Sequence, residues 1–90
     1  MHVPVGLLRP GVVPEDVLPR AATAAAEMTT VEAKDVGVVR GRARITVRFT
    51  SDDDAFAQSV AARVHAAVAE LADVGGSEVT RRSRGRWEPV

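Results

Sequence analysis

The most informative absence in this chain is that of cysteine, which excludes disulfides and thiolate metal sites. Tyrosine and asparagine are also missing, and aromatic residues make up only 3% of the 90 residues. Because 46% of the chain is nevertheless hydrophobic, its core must be built from Ala, Val and Leu. Small side chains bury little apolar area each, so a partner surface would add stability.

Long hydrophobic runs are absent as well. No stretch approaches the roughly 20 apolar residues that a membrane span requires. The residues from Met1 to Val5 lack the basic region and apolar run of a signal peptide. We therefore expect a cytoplasmic protein, and its length predicts a single domain over residues 1–90.

The formal net charge is zero, so bulk electrostatics does not favour a polyanionic partner. The basic residues are almost all arginine, with lysine only at Lys34. Arginine can bind carboxylates and phosphates with two parallel hydrogen bonds. The question for this chain is whether the fold gathers its arginines on one surface.

The stretch from Arg42 to Leu71 predicts a strand followed by a long helix. Over residues 42–50 apolar side chains alternate with basic and polar ones, the period of a strand with one apolar face. Ser51–Asp54 then supplies short side-chain oxygens that suit a helix start. Metal binding by these carboxylates is the less favoured alternative, because a calcium loop alternates its ligands. The apolar stripe of the helix consists of Phe56, Val60, Val64, Val68 and Leu71.

Earlier segments predict a strand from Val3 to about Arg9 and a helix from about Pro19 to Met28. Pro14–Leu18 should form a separate turn or a kinked start, because Pro19 disfavours one smooth helix. The inner face of this helix is predicted to comprise Val17, Ala21, Ala24, Ala25 and Met28.

A second strand is predicted over Thr29–Val39. Because its apolar parity changes between Ala33 and Val36, either a bulge near Lys34-Asp35 restores one apolar face or the lower half of the strand is buried differently. Arg40-Gly41 fits a two-residue hairpin that leads into the strand at 42–50. The predicted register places Val36 opposite Ile45, Val38 opposite Ala43 and Asp35 beside Thr46.

The end of the chain has a weaker pattern. The two glycines in Asp73–Gly76 predict a helix stop and a turn. Ser77–Trp87 is then the last predicted strand, with Gly85 marking a bulge or a late turn.

The resulting order β-α-β-β-α-β resembles the ferredoxin-like fold, an α+β split βαβ sandwich. The resemblance implies a four-stranded antiparallel sheet with two helices on one face. It rests on element order alone and identifies no family, because this fold hosts many unrelated functions.

An arginine-rich sheet face is the main candidate site. Arg42, Arg44 and Arg48 should project away from the helices, and Arg82, Arg84 and Arg86 share one parity on the last strand. Such a face could bind an anionic ligand. The alternative is a solvated face whose arginines pair with Asp35, Glu78 or Glu88. RNA binding is disfavoured, since the outward positions of the central strand carry no aromatic side chain for base stacking.

Chemical motifs are missing. There is no Walker loop, dinucleotide fingerprint or zinc motif, so we expect no cofactor and no metal. His65 should flank the core stripe of its helix, and no nucleophile lies at a recognisable spacing from it. The Arg9–Gly11 loop lacks the glycine-rich cradle of acylphosphatases. Trp87 is predicted to cover the sheet edge or to contact a second copy, with ligand stacking as the alternative.

These observations favour a non-enzymatic interaction module that self-associates through its sheet as a homodimer. The alternative is an anion-binding domain that uses the arginine face for nucleic acid or a phosphorylated metabolite. A third hypothesis is a small enzyme with Arg9, His65 or Glu32 in a pocket between sheet and helices.

Overall fold

Four antiparallel strands form the main sheet of the protein, whose computed structural model describes residues 1–90. The strands lie in the order β2-β3-β1-β4, and two helices complete this small α+β fold. Neither helix combines the length and apolar character needed to cross a membrane. The elements are β1 (His2–Leu8), a 3₁₀ turn (Pro14–Asp16), α1 (Val17–Ala26), β2 (Val31–Val39), β3 (Arg42–Phe49), α2 (Asp54–Ala69), β4 (Ala72–Val74), β5 (Thr80–Ser83) and β6 (Arg86–Pro89).

The β2–β3 hairpin has the predicted register. Val36 lies opposite Ile45, and Asp35 lies opposite Thr46. Both turn residues of Arg40-Gly41 have positive φ, at 54° and 77°, as a two-residue hairpin turn requires. The bulge lies between Val31 and Ala33, so the prediction at Lys34-Asp35 was two residues late.

The core lies between the helices and one face of the sheet. Val3 on β1 and Ile45 and Val47 on β3 are buried against both helices. The stripe of α2 is buried at Val60, Val64 and Val68, while Phe56 and Leu71 are partly buried. From α1 the core receives Val17, Ala21, Ala24 and Ala25.

The first helix begins earlier and ends earlier than predicted. Pro19 is the third residue of α1, where a backbone amide has no intrahelical partner to lose. The helix therefore starts at Val17 and needs no kink. Because it ends at Ala26, Met28 lies beyond it and is 36% exposed, which corrects its assignment to the inner face.

The chain runs on alongside β1 after β4, through Gly75 to Glu78, so the turn predicted at the two glycines was wrong. The Gly75 amide donates to the Pro4 carbonyl at 2.9 Å. A Cβ at Gly75 would lie 3.1 Å from the Pro4 ring, so a glycine allows this close approach. His2 and Glu78 then exchange two backbone hydrogen bonds at 2.8 and 3.0 Å. The fourth strand of the sheet is therefore β4, at Ala72–Val74, and lies before the predicted strand at Ser77–Trp87.

The predicted last strand, Ser77–Trp87, is not one strand. Arg84 and Gly85 have φ of 51° and 78° and form a late turn, so β5 folds back on β6. This hairpin is a separate two-stranded sheet. The expectation that Arg82, Arg84 and Arg86 lie on the main sheet was therefore wrong.

Candidate functional site

The outer face of the sheet, opposite the helices, carries the arginines of β3. Because Ile45 and Val47 point into the core, the alternating side chains of Arg44 and Arg48 point the other way. Arg48 is exposed, and its Nε lies 3.8 Å from a carboxylate oxygen of Glu32. Arg42 lies on the same face, next to the hairpin turn.

His2 joins this face from β1. It lies opposite Thr46, and its Nδ1 is 2.9 Å from the Thr46 hydroxyl oxygen. Partial burial lowers the pKa of His2, and the positive charges of Arg44 and the Met1 amine lower it further, against an opposing effect of Glu78. The imidazole is therefore neutral at pH 7. It acts as a hydrogen-bond partner of Thr46 and adds no positive charge to those of Arg44 and Arg48.

A cleft of about 1090 Å³ opens beyond the carboxyl end of β3, between the start of α2 and the β5–β6 hairpin. We call it the arginine cleft, after Arg48 from the sheet and Arg82 from the hairpin, which line it together with Trp87. The Arg82 guanidinium lies 6.0 Å from the centre of the Trp87 ring, at the limit of a cation–π contact. Trp87 is 49% exposed.

Carboxylates line the opposite side of the arginine cleft. Asp53 accepts a hydrogen bond from the Phe56 amide at 2.7 Å, which confirms the predicted helix cap. Asp54 accepts one from Arg81 at 2.9 Å and so ties the hairpin to α2. Since Asp52 also lines it, the cleft presents both signs of charge and not a uniform basic surface.

The predicted arginine set is therefore divided by the fold. Arg48 and Arg82 both line the arginine cleft, and Arg42 and Arg44 lie further along β3. Arg84 occupies the hairpin turn. Arg86 lies opposite Ser83, one position along from Arg82, so it faces the other side of the hairpin.

The residues of the enzyme hypothesis have separate contacts. Arg9 donates to Asp73 at 2.6 Å and to the Ala69 carbonyl at 3.2 Å. His65 Nε2 lies 3.0 Å from the Gly75 carbonyl oxygen, and this contact joins α2 to the segment that follows β4. Glu32 lies near Arg48 in the arginine cleft. The three side chains thus belong to different places in the fold.

The free side of β2 forms the second candidate surface, and we call residues 34–39 the β2 edge. This strand ends the sheet and pairs only with β3. Val36 and Val38 are 53% and 75% exposed, although their cross-strand partners Ile45 and Ala43 are better covered. The groove between α1 and β2 is lined on the strand by residues 31–34, so the helix lies beside the first half of β2.

Sequence reasoning missed this edge as a site. The alternation correctly placed Val36 and Val38 on the helix-facing side of the sheet. It could not indicate that α1 leaves this part of β2 open. The available signal was the run from Val36 to Val39, which contains neither charge nor proline.

Comparison with protein-family models, curated proteins and solved structures finds no match to the chain. The functional candidates are therefore the two surfaces of the fold. The β2 edge offers unpaired backbone groups and apolar side chains. The arginine cleft offers guanidinium groups and one aromatic ring.

Proposed function

We propose that this chain is a non-enzymatic interaction module that self-associates through the β2 edge of its sheet. The observation that carries the proposal is the exposure of Val36 and Val38, at 53% and 75%, beside a strand edge that no other element pairs with. The cytoplasmic location inferred from the amino terminus stays a prediction.

The physics of strand edges supports this use. An edge strand presents a row of unpaired amides and carbonyls, which another strand can satisfy. Sequences that avoid pairing place lysine, proline or a bulge on such an edge. This strand has a bulge between Val31 and Ala33 and a lysine at Lys34, but its second half, from Val36 to Val39, has none of these features. Covering a half-exposed valine contributes about 1 kcal/mol, so burial of two valines in each copy gives a modest favourable free energy of association.

The sheet face is less suited to self-association than the edge. Arg42, Arg44 and Arg48 lie on the outer face, so stacking two such faces would bring like charges together. Edge pairing leaves these arginines in solvent. It also adds main-chain hydrogen bonds, which face-to-face packing does not.

We also propose that the main domain has the ferredoxin-like topology. Its support is the element order β-α-β-β-α-β up to β4, together with the strand order β2-β3-β1-β4. The β5–β6 hairpin is then an addition after the last strand of that topology. In this arrangement β2 is an outer strand, as the edge proposal requires.

Sedimentation velocity tests the proposed function. Over a range of about 5 to 500 micromolar, the wild-type chain should shift from monomer towards dimer. Val38→Lys should remain monomeric with an unchanged circular dichroism spectrum, because lysine at an edge opposes pairing. Val13→Lys is the matched control, since Val13 is 50% exposed and lies outside the sheet.

Two results would contradict the proposal. One is a wild-type chain that stays monomeric over the whole concentration range. The other is dimerisation of Val38→Lys with the same concentration dependence as wild type.

A second candidate function is binding of a phosphorylated small molecule in the arginine cleft. The observation that favours it is that Arg48, Arg82 and Trp87 line one cleft, with Arg82 free of any ion pair. Two guanidinium groups can hold phosphate oxygens, and an exposed indole can pack on a ring. The carboxylates of the same cleft disfavour a long nucleic acid.

Titration with ATP as the probe tests this candidate. Binding should weaken with added salt and fall at least about tenfold in an Arg48→Gln, Arg82→Gln double variant. Arg84→Gln is the control, because Arg84 lies in the hairpin turn away from the cleft lining. Binding that is insensitive to both glutamine substitutions and to salt would dismiss the candidate.

A further inference from the structure

The pairing of β2 with β3 determines which backbone amides and carbonyls of β2 remain free. The Val47 amide donates to the Met1 carbonyl, so residues of β3 with odd numbers direct their amides to β1 and those with even numbers direct theirs to β2. Their partners in β2, such as Gly37 opposite Arg44, therefore direct their amides to β3. The amides and carbonyls of Val36 and Val38 point out of the sheet and are available to another strand.

We infer that two copies of this chain pair β2 with β2 antiparallel around a two-fold axis at Gly37, so that Val36 of each copy lies opposite Val38 of the other. The inference rests on the proposed function and adds its partner strand and register. A two-fold axis perpendicular to the sheet keeps the helices of both copies on the same side. The four strands of each copy then form one continuous eight-stranded sheet.

The side chains of β2 distinguish this register from its neighbours. An axis at Asp35 would put two Asp35 carboxylates opposite each other and Val36 opposite Lys34. An axis at Val36 would put Val38 opposite Lys34. Only the axis at Gly37 places each exposed valine of the helix-facing side opposite another valine. In both resulting Val36–Val38 pairs, the free amides and carbonyls of the two strands face each other.

The charges on the outer face complement this register. Asp35 of one copy lies opposite Val39 of the other, and Val39 pairs with Arg42 in its own hairpin. Strands are spaced by about 4.8 Å, so Asp35 lies about 10 Å across from Arg42 of the second copy, within reach of a guanidinium. Neither residue forms an ion pair within its own chain.

The unfavourable contact of this register falls outside the paired segment. Lys34 would lie opposite Arg40 of the second copy. Arg40 belongs to the hairpin turn, where the strand has ended and side chains can diverge. Five residues from Asp35 to Val39 therefore form the interface. Such a short interface belongs to the small size class that is typical of weak or transient association.

Gly37 suits the axis position. A Cβ at Gly37 would meet nothing within 4 Å, and its φ is not positive, so a side chain is tolerated there. Because its amide points to β3, the two copies of Gly37 form a pair without hydrogen bonds, with Cα atoms about 4.5 Å apart. That distance lies within the range of a disulfide.

Cysteine substitution can therefore measure the register, since the chain has no cysteine of its own. We expect Gly37→Cys to form an intermolecular disulfide under mild oxidation at least about tenfold faster than Asp35→Cys or Val39→Cys alone. An equimolar mixture of Asp35→Cys and Val39→Cys should form the mixed dimer quickly, because position 35 faces position 39. This mixture tests the register without changing Gly37.

Each outcome separates the register from the proposed function. Rapid crosslinking of Asp35→Cys or Val39→Cys alone, in a chain that sediments as a dimer, would overturn the register and leave self-association intact. A dimer in which neither Gly37→Cys nor the mixture crosslinks would overturn pairing through β2. A wild-type chain that is monomeric throughout would overturn both.

Discussion

Val36 and Ile45 lie directly opposite each other on the same side of the sheet, yet Ile45 is 1% exposed and Val36 is 53% exposed. The boundary of the hydrophobic core therefore runs between β3 and the second half of β2. A strand with apolar side chains outside its own core is the usual setting for pairing with another strand. Self-association through the β2 edge depends on that boundary.

The cap of α2 provides a first prediction. Asp53→Ala should lower the free energy of unfolding by about 1 kcal/mol, because the Phe56 amide loses its carboxylate partner. Asp52→Ala is the control, since Asp52 makes no side-chain hydrogen bond to a helix amide, and its change should stay within about 0.5 kcal/mol. Urea denaturation measures both. Equal losses in the two variants would contradict the assignment of Asp53 as the cap.

The close approach of Gly75 to Pro4 provides a second prediction. Gly75→Ala should destabilise the chain by about 1 kcal/mol or more, because its Cβ would lie 3.1 Å from the Pro4 ring. Gly76→Ala meets open space, so it should be neutral or stabilise by up to about 0.5 kcal/mol. Thermal and urea unfolding of the two variants compare them directly. A Gly75→Ala variant as stable as Gly76→Ala would argue against pairing of this segment with β1.

The environment of His2 provides a third prediction, on pH. The folded chain lowers the pKa of His2 through burial and the nearby positive charges. As the pH falls through about 6.5, the unfolded chain takes up a proton that the folded chain does not, so the free energy of unfolding decreases. Above that pH both states are neutral and this contribution is constant.

A His2→Gln variant isolates the effect of that imidazole. Its free energy of unfolding should fall less steeply than that of wild type between about pH 7.5 and 5.5, because glutamine has no proton to gain. The rest of the chain is identical in the two proteins, so the comparison isolates position 2. Parallel curves for the two chains would show that folding does not perturb His2.

Local sequence patterns predicted the parts of the fold that depend on neighbouring residues. The alternation around Arg40-Gly41 determined the register of the β2–β3 hairpin, and Ser51–Asp54 indicated the start of α2. Both features are encoded within a few residues of where they occur. The two valines of the β2 edge were also placed on the correct side of their strand.

The features that sequence reasoning missed depend on contacts between distant segments. Gly75 reads locally as a turn residue, but it lies against Pro4 from the other end of the chain. The exposure of Val38 follows from where α1 packs, which no pattern within β2 encodes. The division of the arginines also depends on distant contacts. The chain leaves the main sheet after Glu78 pairs with His2, so β5 and its arginines belong to a separate hairpin.

Amide hydrogen exchange at the β2 edge tests the central claim most directly. The amides of Val36 and Val38 point away from β3, so they should exchange quickly in dilute solution, where the chain is monomeric. At a concentration that sediments as dimer, both should exchange at least about tenfold more slowly, while the already paired amides of Gly37 and Val39 change little. Rapid exchange of Val36 and Val38 at both concentrations would contradict the account.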